Sequence, residues 1–171
     1  MKTKIIKNKK GFTLVELIIY VAILSMFIFS IVAFLNVMTN SRINNQIVLE
    51  VNNQGDQVIK TITQSIRNAT LINSPSASSM NTSLSLETSI PGTNPTVFSI
   101  SGGVLYMTEG SGSAVALTNN KVVIGNLEFS NLSQPSTSGT IKVRFTLTSA
   151  VASPNNITNK SVDFYGSATI R

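Results

Sequence analysis

Of the seven acidic residues in this chain, Glu16 stands apart. It lies inside an apolar run, residues 12–35, that holds no other formal charge. An ionised carboxylate at the centre of a bilayer costs on the order of 2.5 to 3.5 kcal/mol, less near the end of a span, and is normally retained for a partner. The chemistry that suits this placement is pairing with a cation in apolar surroundings. Directly ahead, Lys9-Lys10-Gly11-Phe12-Thr13-Leu14-Val15 sets two lysines and a glycine against the start of the run. The plainer reading of Glu16 is a carboxylate resting at the lipid headgroups, since it sits near one end.

Other chemistry has little to work with. The absence of Cys and His removes thiol nucleophiles, imidazole bases, Ser-His-Asp triads and the usual zinc frameworks together. Glu50 and Asp56 fall on the polar side of a helical pattern, and the remaining carboxylates scatter among strands and turns, so solvation explains them better than a glycosidase pair. Acidic residues do not take calcium-loop spacing, and no glycine-rich run is placed to cradle phosphate. Lys142 and Arg144 share the polar face of a strand, with Lys121 and Lys160 elsewhere in the same region. Such a patch could meet nucleic-acid phosphates. Against that stands an ordinary solvated sheet face, since no aromatic residues interleave with the basic ones. No catalytic residue, metal or cofactor is expected.

The net charge of +6 points to the same junction. Lys2, Lys4, Lys7, Lys9 and Lys10 all precede Gly11; without these five, the 13 basic residues become 8 against 7 acids, a net of +1. The basic character belongs to a leader, not to the body of the protein. Charged residues are 12% of the chain, about half the roughly 25% usual in a soluble domain, so its polar surface is mostly neutral.

The elements that must carry these residues follow from periodicity. As a helix, residues 12–35 would be about 36 Å long against a hydrocarbon core of roughly 30 Å, long enough to span a membrane. Lysines before the run, and no basic residue after it until Arg42, place the N-terminus on the cytoplasmic side and the rest outside. A secretory signal fits poorly, because its apolar region is about 7 to 15 residues and ends at small residues. From residue 36 to 73 the apolar residues thin to a stripe: Ile43, Ile47, Val51, Val58, Ile62, Ile66 and Ala69, with Gly55 filling the missing turn. No proline interrupts residues 12–74, so one continuous helix is expected, apolar all round and then amphipathic, ending before Ser74-Pro75. Residues 74–83 read as a surface loop.

Beyond the loop the period changes to two. Ile141, Val143, Phe145 and Leu147 alternate with polar residues, as do Phe164, Gly166, Ala168 and Ile170. Shorter candidate strands are 84–87, 96–101, 104–108, 114–117, 121–124 and 126–130, with Gly102-Gly103 suited to a tight hairpin. The expected fold class is α+β, a long N-terminal helix packed on an antiparallel β-sheet spanning residues 84–171. One apolar helix stripe and one apolar sheet face can cover each other.

From Lys9 to Glu16 and into the apolar helix, the sequence resembles the type IV prepilin family, which includes pilus subunits and the pseudopilins of type II secretion and DNA-uptake machines. The resemblance implies a leader, residues 1–11, cut between Gly11 and Phe12 by a prepilin peptidase that then methylates the new amine. It implies that Glu16, the fifth residue of the mature chain, pairs with a freed Phe12 amine and sets register in a filament. Implied partners are the peptidase, other pilin or pseudopilin subunits, the membrane and the filament assembly machinery. Ala33 stands where many major pilins have proline, Ser25 where small glycine is common, and cysteine pairs are absent. These departures favour a minor subunit, with size and the helix end resembling pseudopilins of the J or W type. A competing class is a permanently membrane-anchored binding module for DNA, polysaccharide or protein.

Overall fold

A computed structural model of the 171-residue chain describes residues 11–134, 139–150 and 160–171. The leader lysines Lys2, Lys4, Lys7, Lys9 and Lys10 lie outside the described residues. Among the described residues one α-helix, α1 (Leu14–Asn68), is followed by nine strands, with a short 3-10 turn at Pro91–Thr93: β1 (Ala69–Ser74), β2 (Met80–Asn81), β3 (Leu84–Thr88), β4 (Thr96–Ser101), β5 (Val104–Glu109), β6 (Val115–Ala116), β7 (Val122–Asn131), β8 (Thr140–Ser149) and β9 (Ser161–Thr169). The chain divides into two compact units, Met1–Arg42 and Ile43–Arg171.

The fold is α+β, but its strands form two antiparallel sheets where one was expected. The first has the order β1-β3-β4-β5-β6 and the second β2-β7-β8-β9. The expected helical stripe is present in the second unit: Val51, Gly55, Val58, Ile62 and Ile66 are the buried residues of α1. Its four apolar side chains join Leu84, Leu86, Phe98 and Leu105 of the first sheet and Phe129, Val143, Phe145 and Leu147 of the second in one core. Burying each such side chain is worth about 1.5 to 3 kcal/mol, and neither a lone amphipathic helix nor an uncovered sheet could collect that alone.

The helix stops sooner than expected. Residues 69–73 do not continue it but enter β1, where Ala69 faces Thr88 and Ile72 faces Leu86 of β3. No proline or glycine marks that boundary. Pairing with β3 satisfies the backbone that would otherwise have continued the helix, and tertiary pairing outweighs weak local propensity. The stretch expected to be only a loop, residues 74–83, contributes β2 to the edge of the second sheet, with Met80 opposite Ser130 and Asn81 opposite Phe129.

Two expected strands, 121–124 and 126–130, are one strand. In β7 Gly125 faces Thr146 and Glu128 faces Arg144, so the strand carries one residue more than its partner between those pairs. Asn126 takes the extra place at φ 51°, a left-handed conformation that Asn tolerates better than most residues. The bulge shifts the alternation by one. Val122 and Ile124 are buried before it, and Leu127 and Phe129 after it. The expected hairpin at Gly102-Gly103 is present, both glycines having positive φ, with Ser101 opposite Val104.

Helix and second sheet interlock through two glycines. A Cβ on Gly55 would run into the outer edge of the Phe164 ring, which is stacked on the buried Phe145 ring at 5.4 Å between centroids. Reciprocally, a Cβ on Gly166 would lie 3.1 Å from Cδ1 of Ile59 on the helix. An aromatic knob from β9 enters the gap in the helix stripe, and an aliphatic knob from the helix enters the gap in β9. Where the chain leaves β7, Asn131 is buried with its polar atoms used: Nδ2 donates to the Pro75 carbonyl at 2.8 Å and Oδ1 accepts from the Ser133 amide at 3.0 Å.

Alanine at Gly55 should improve helix propensity by about 1 kcal/mol yet displace the half-buried Phe164 ring, an overpacking cost of about 1 to 3 kcal/mol. Gly55→Ala is therefore expected to lower the unfolding midpoint of the full chain, and Phe164→Leu in the same background to restore part of the loss. Asn131→Ala, which leaves the Pro75 carbonyl buried without its donor, should destabilise by roughly 1 to 3 kcal/mol in denaturant titration.

Candidate functional site

At the head of α1 the chain builds a small polar cluster on an apolar rod. Thr13 precedes the helix, and its Oγ1 accepts from the Glu16 amide at 3.3 Å while its carbonyl accepts the first helical bond from the Leu17 amide at 3.2 Å. Thr-x-x-Glu is the pattern of a capping box, in which the glutamate would turn back to the cap. Glu16 turns forward instead. Its Oε1 accepts from the Tyr20 hydroxyl at 3.1 Å, one helical turn on. The Tyr20 ring in turn meets the Phe12 ring edge-on, with centroids 6.2 Å apart and planes at 75°.

A negative group in the first helical turn is stabilised by the amides that have no partner there and by the positive end of the helix dipole. Glu16 thus has a local electrostatic reason for its place, in addition to any partner it finds. Among residues 11–39 it alone is partly shielded from solvent; every other one is exposed. That exposed surface includes Leu17, Ile18, Ile23, Phe27, Ile31 and Leu35. The helix contains an 18-residue window of mean hydropathy 2.8, none of it buried, and is long and apolar enough to cross a membrane. Hydroxyls within or just beyond the apolar stretch fold back on the helix: Ser25 Oγ donates to the Ala22 carbonyl at 2.8 Å and Thr39 Oγ1 to the Leu35 carbonyl at 2.9 Å. Backbone carbonyls absorb their polarity, leaving the rod apolar outside.

Gly11 is not required by this fold. Among the described residues a Cβ placed on it meets nothing within 4 Å, and its φ is not in the left-handed region.

Lys142 and Arg144 do share the outer face of β8, but Arg144 is neutralised by a cross-strand partner. Arg144 lies opposite Glu128 and pairs with it, Nη2 to Oε2 at 3.1 Å. Its other neighbour is Tyr165 on β9, and one position along, Asp163 accepts from the Thr146 hydroxyl at 2.6 Å. These residues line a shallow groove of about 300 Å³. Lys142 stands between Ser130 and Ser167. A half-exposed ion pair of this kind is worth well under about 1 kcal/mol, and the face holds both signs of charge. The helix carboxylate Glu50 is likewise engaged, accepting from Asn119 Nδ2 at 2.6 Å.

Sequence reasoning singled out Gly11, Phe12 and Glu16 but passed over Thr13 and Tyr20. Both carried a signal: the Thr-x-x-Glu spacing for the cap, and a hydrogen-bonding residue four places after Glu16 on the same helix ridge.

Comparison with known proteins bears on this same end of the chain. The family described as the prokaryotic N-terminal methylation motif matches residues 6–34, a stretch that takes in Gly11, Phe12, Glu16 and Tyr20. No curated protein and no solved structure matches the chain. The head of the long helix thus carries a prokaryotic N-terminal methylation motif.

Proposed function

We propose that this chain is the precursor of a minor pilin or pseudopilin, a structural subunit of a type IV pilus-like filament. The leader is cut between Gly11 and Phe12 by a prepilin peptidase on the cytoplasmic side, and the new Phe12 amine is methylated. The observation that carries this reading is the pairing of a methylation motif with an apolar helical stretch that is exposed among the described residues. Glycine at the cut admits an extended peptide to a confined peptidase site without a side chain. The leader lysines hold the precursor at the anionic inner face of the membrane.

Cleavage would create an ammonium at the positive end of α1, where the helix dipole disfavours it. Glu16 offsets that charge, either for its own chain or for the next. Pairing between chains fixes axial register while removing two charges from an apolar interior. Lipid tails and packed helices are about equally apolar, so moving the rod from bilayer to filament core involves no large loss of apolar burial. Ala33, Ser25 and the absence of cysteine favour a minor subunit over a major, force-bearing one, and the J or W type of pseudopilin is the subgroup closest in outline. The domain after the helix lies outside the membrane, with no chemistry of its own. Because Arg144 is paired with Glu128, contact with nucleic acid is not part of this reading.

Mass spectrometry of the cell-associated protein should show a chain beginning at N-methylated Phe12. An intact Met1 would favour the permanently anchored binding module instead. Gly11→Ala should abolish most cleavage while leaving the thermal unfolding of the precursor unchanged; loss of fold together with loss of cleavage would mean that Gly11 serves the chain itself. Glu16→Ala should be processed normally but enter sheared surface fibres at least about tenfold less, the scale of losing a charge-assisted contact in an apolar place.

A further inference from the structure

Tyr20 has no part in the reading above, yet it is the residue that the Glu16 carboxylate touches. Phe12, Glu16 and Tyr20 recur at intervals of four; Glu16 and Tyr20 lie one turn apart on α1, and Phe12 just precedes it. The phenol donates to Oε1 of Glu16 at 3.1 Å, and the Tyr20 ring rests edge-on against Phe12. Around them Leu17, Ile19, Val21 and Leu24 are apolar and exposed. In lipid or between packed helices there is no water to complete the carboxylate's hydrogen bonds, so a donor on its own helix has most effect there. A carboxylate accepts on both oxygens, so a phenol on Oε1 leaves Oε2 able to accept an ammonium.

We infer that Tyr20 is a positioning residue for the assembly contact of Glu16. Its hydroxyl holds the carboxylate in one orientation beside Phe12 and solvates it while the helix passes from bilayer to filament. A free glutamate would lose side-chain freedom on meeting its amine, and one already held loses less. The inference rests on the filament reading. It goes beyond that reading in assigning part of the contact to a phenol two helical turns from the cut.

The test compares wild type, Tyr20→Phe, Glu16→Ala and the double variant in cells, each scored for cleavage by mass and for the fraction of processed protein recovered in sheared fibres. Phenylalanine keeps the ring and its contact with Phe12, so only the hydroxyl is removed. Tyr20→Phe is expected to be cleaved like wild type and incorporated about tenfold less, as for a lost hydrogen bond to a charged group. In the Glu16→Ala background the same substitution should have no further effect. Wild-type incorporation of Tyr20→Phe, or the same fold-loss in both backgrounds, overturns the inference, the latter because it marks a packing role. Failure of Tyr20→Phe to be cleaved overturns it as well, placing the hydroxyl in processing. If Glu16→Ala is impaired and Tyr20→Phe is not, the filament reading stands and this inference alone falls. Normal incorporation of Glu16→Ala removes the register role of Glu16 and this inference with it, while the filament reading stands.

Discussion

A rod whose apolar side chains are exposed along its first half is the constraint from which the rest follows. From Leu14 to Leu35 the helix exposes its large apolar side chains on every side, and the Ser25 hydroxyl folds back on a carbonyl of the previous turn. Water is a poor surrounding for such a surface. A bilayer would satisfy it, and so would a bundle of like rods. The single carboxylate near its end is the one feature that lipid does not satisfy.

The second unit solves a different problem. Its helix and sheets each have an apolar face that must be covered, and they cover one another in a shared core. The fit depends on what is missing as much as on what is present. Gly55 leaves a gap in the helix stripe for the Phe164 ring, and Gly166 leaves one in β9 for Ile59. Interlocking of this kind fixes how far along the sheet the helix can lie, which simple apolar contact would leave free to slide. The buried Asn131, bonded to Pro75 and Ser133, ties the edge strand β2 and its loop to the end of β7 in the same specific way.

The outer face of β7, β8 and β9 shows why a basic pair in sequence is a weak indication of a nucleic-acid surface. Lys142 and Arg144 are adjacent on that face, but their cross-strand neighbours decide the field they make. Glu128 on one side and Asp163 on the other bring negative charge onto it, and Arg144 is already paired. Charge pattern along one strand says little until the strands beside it are known.

Much of the molecule could be read from residue order alone, because the relevant interactions are local or periodic. An apolar run long enough for a bilayer, a stripe repeating every three to four residues, alternation along β8 and β9, and the Gly102-Gly103 hairpin each depend on neighbours close in the chain. Thr13 and Glu16 also belong to this class, four residues being enough to define a helix cap. What residue order could not decide depends on distant partners. The helix gives way to strand at Ala69 because β3 is there to pair with it. The two halves of β7 join because β8 runs past a bulge at Asn126, whose left-handed backbone resets the alternation. Division into two sheets, the reason for Gly55, and the neutralising of Arg144 were likewise settled only by the tertiary structure, since each is a contact between segments whose separation along the chain carries no record of their meeting.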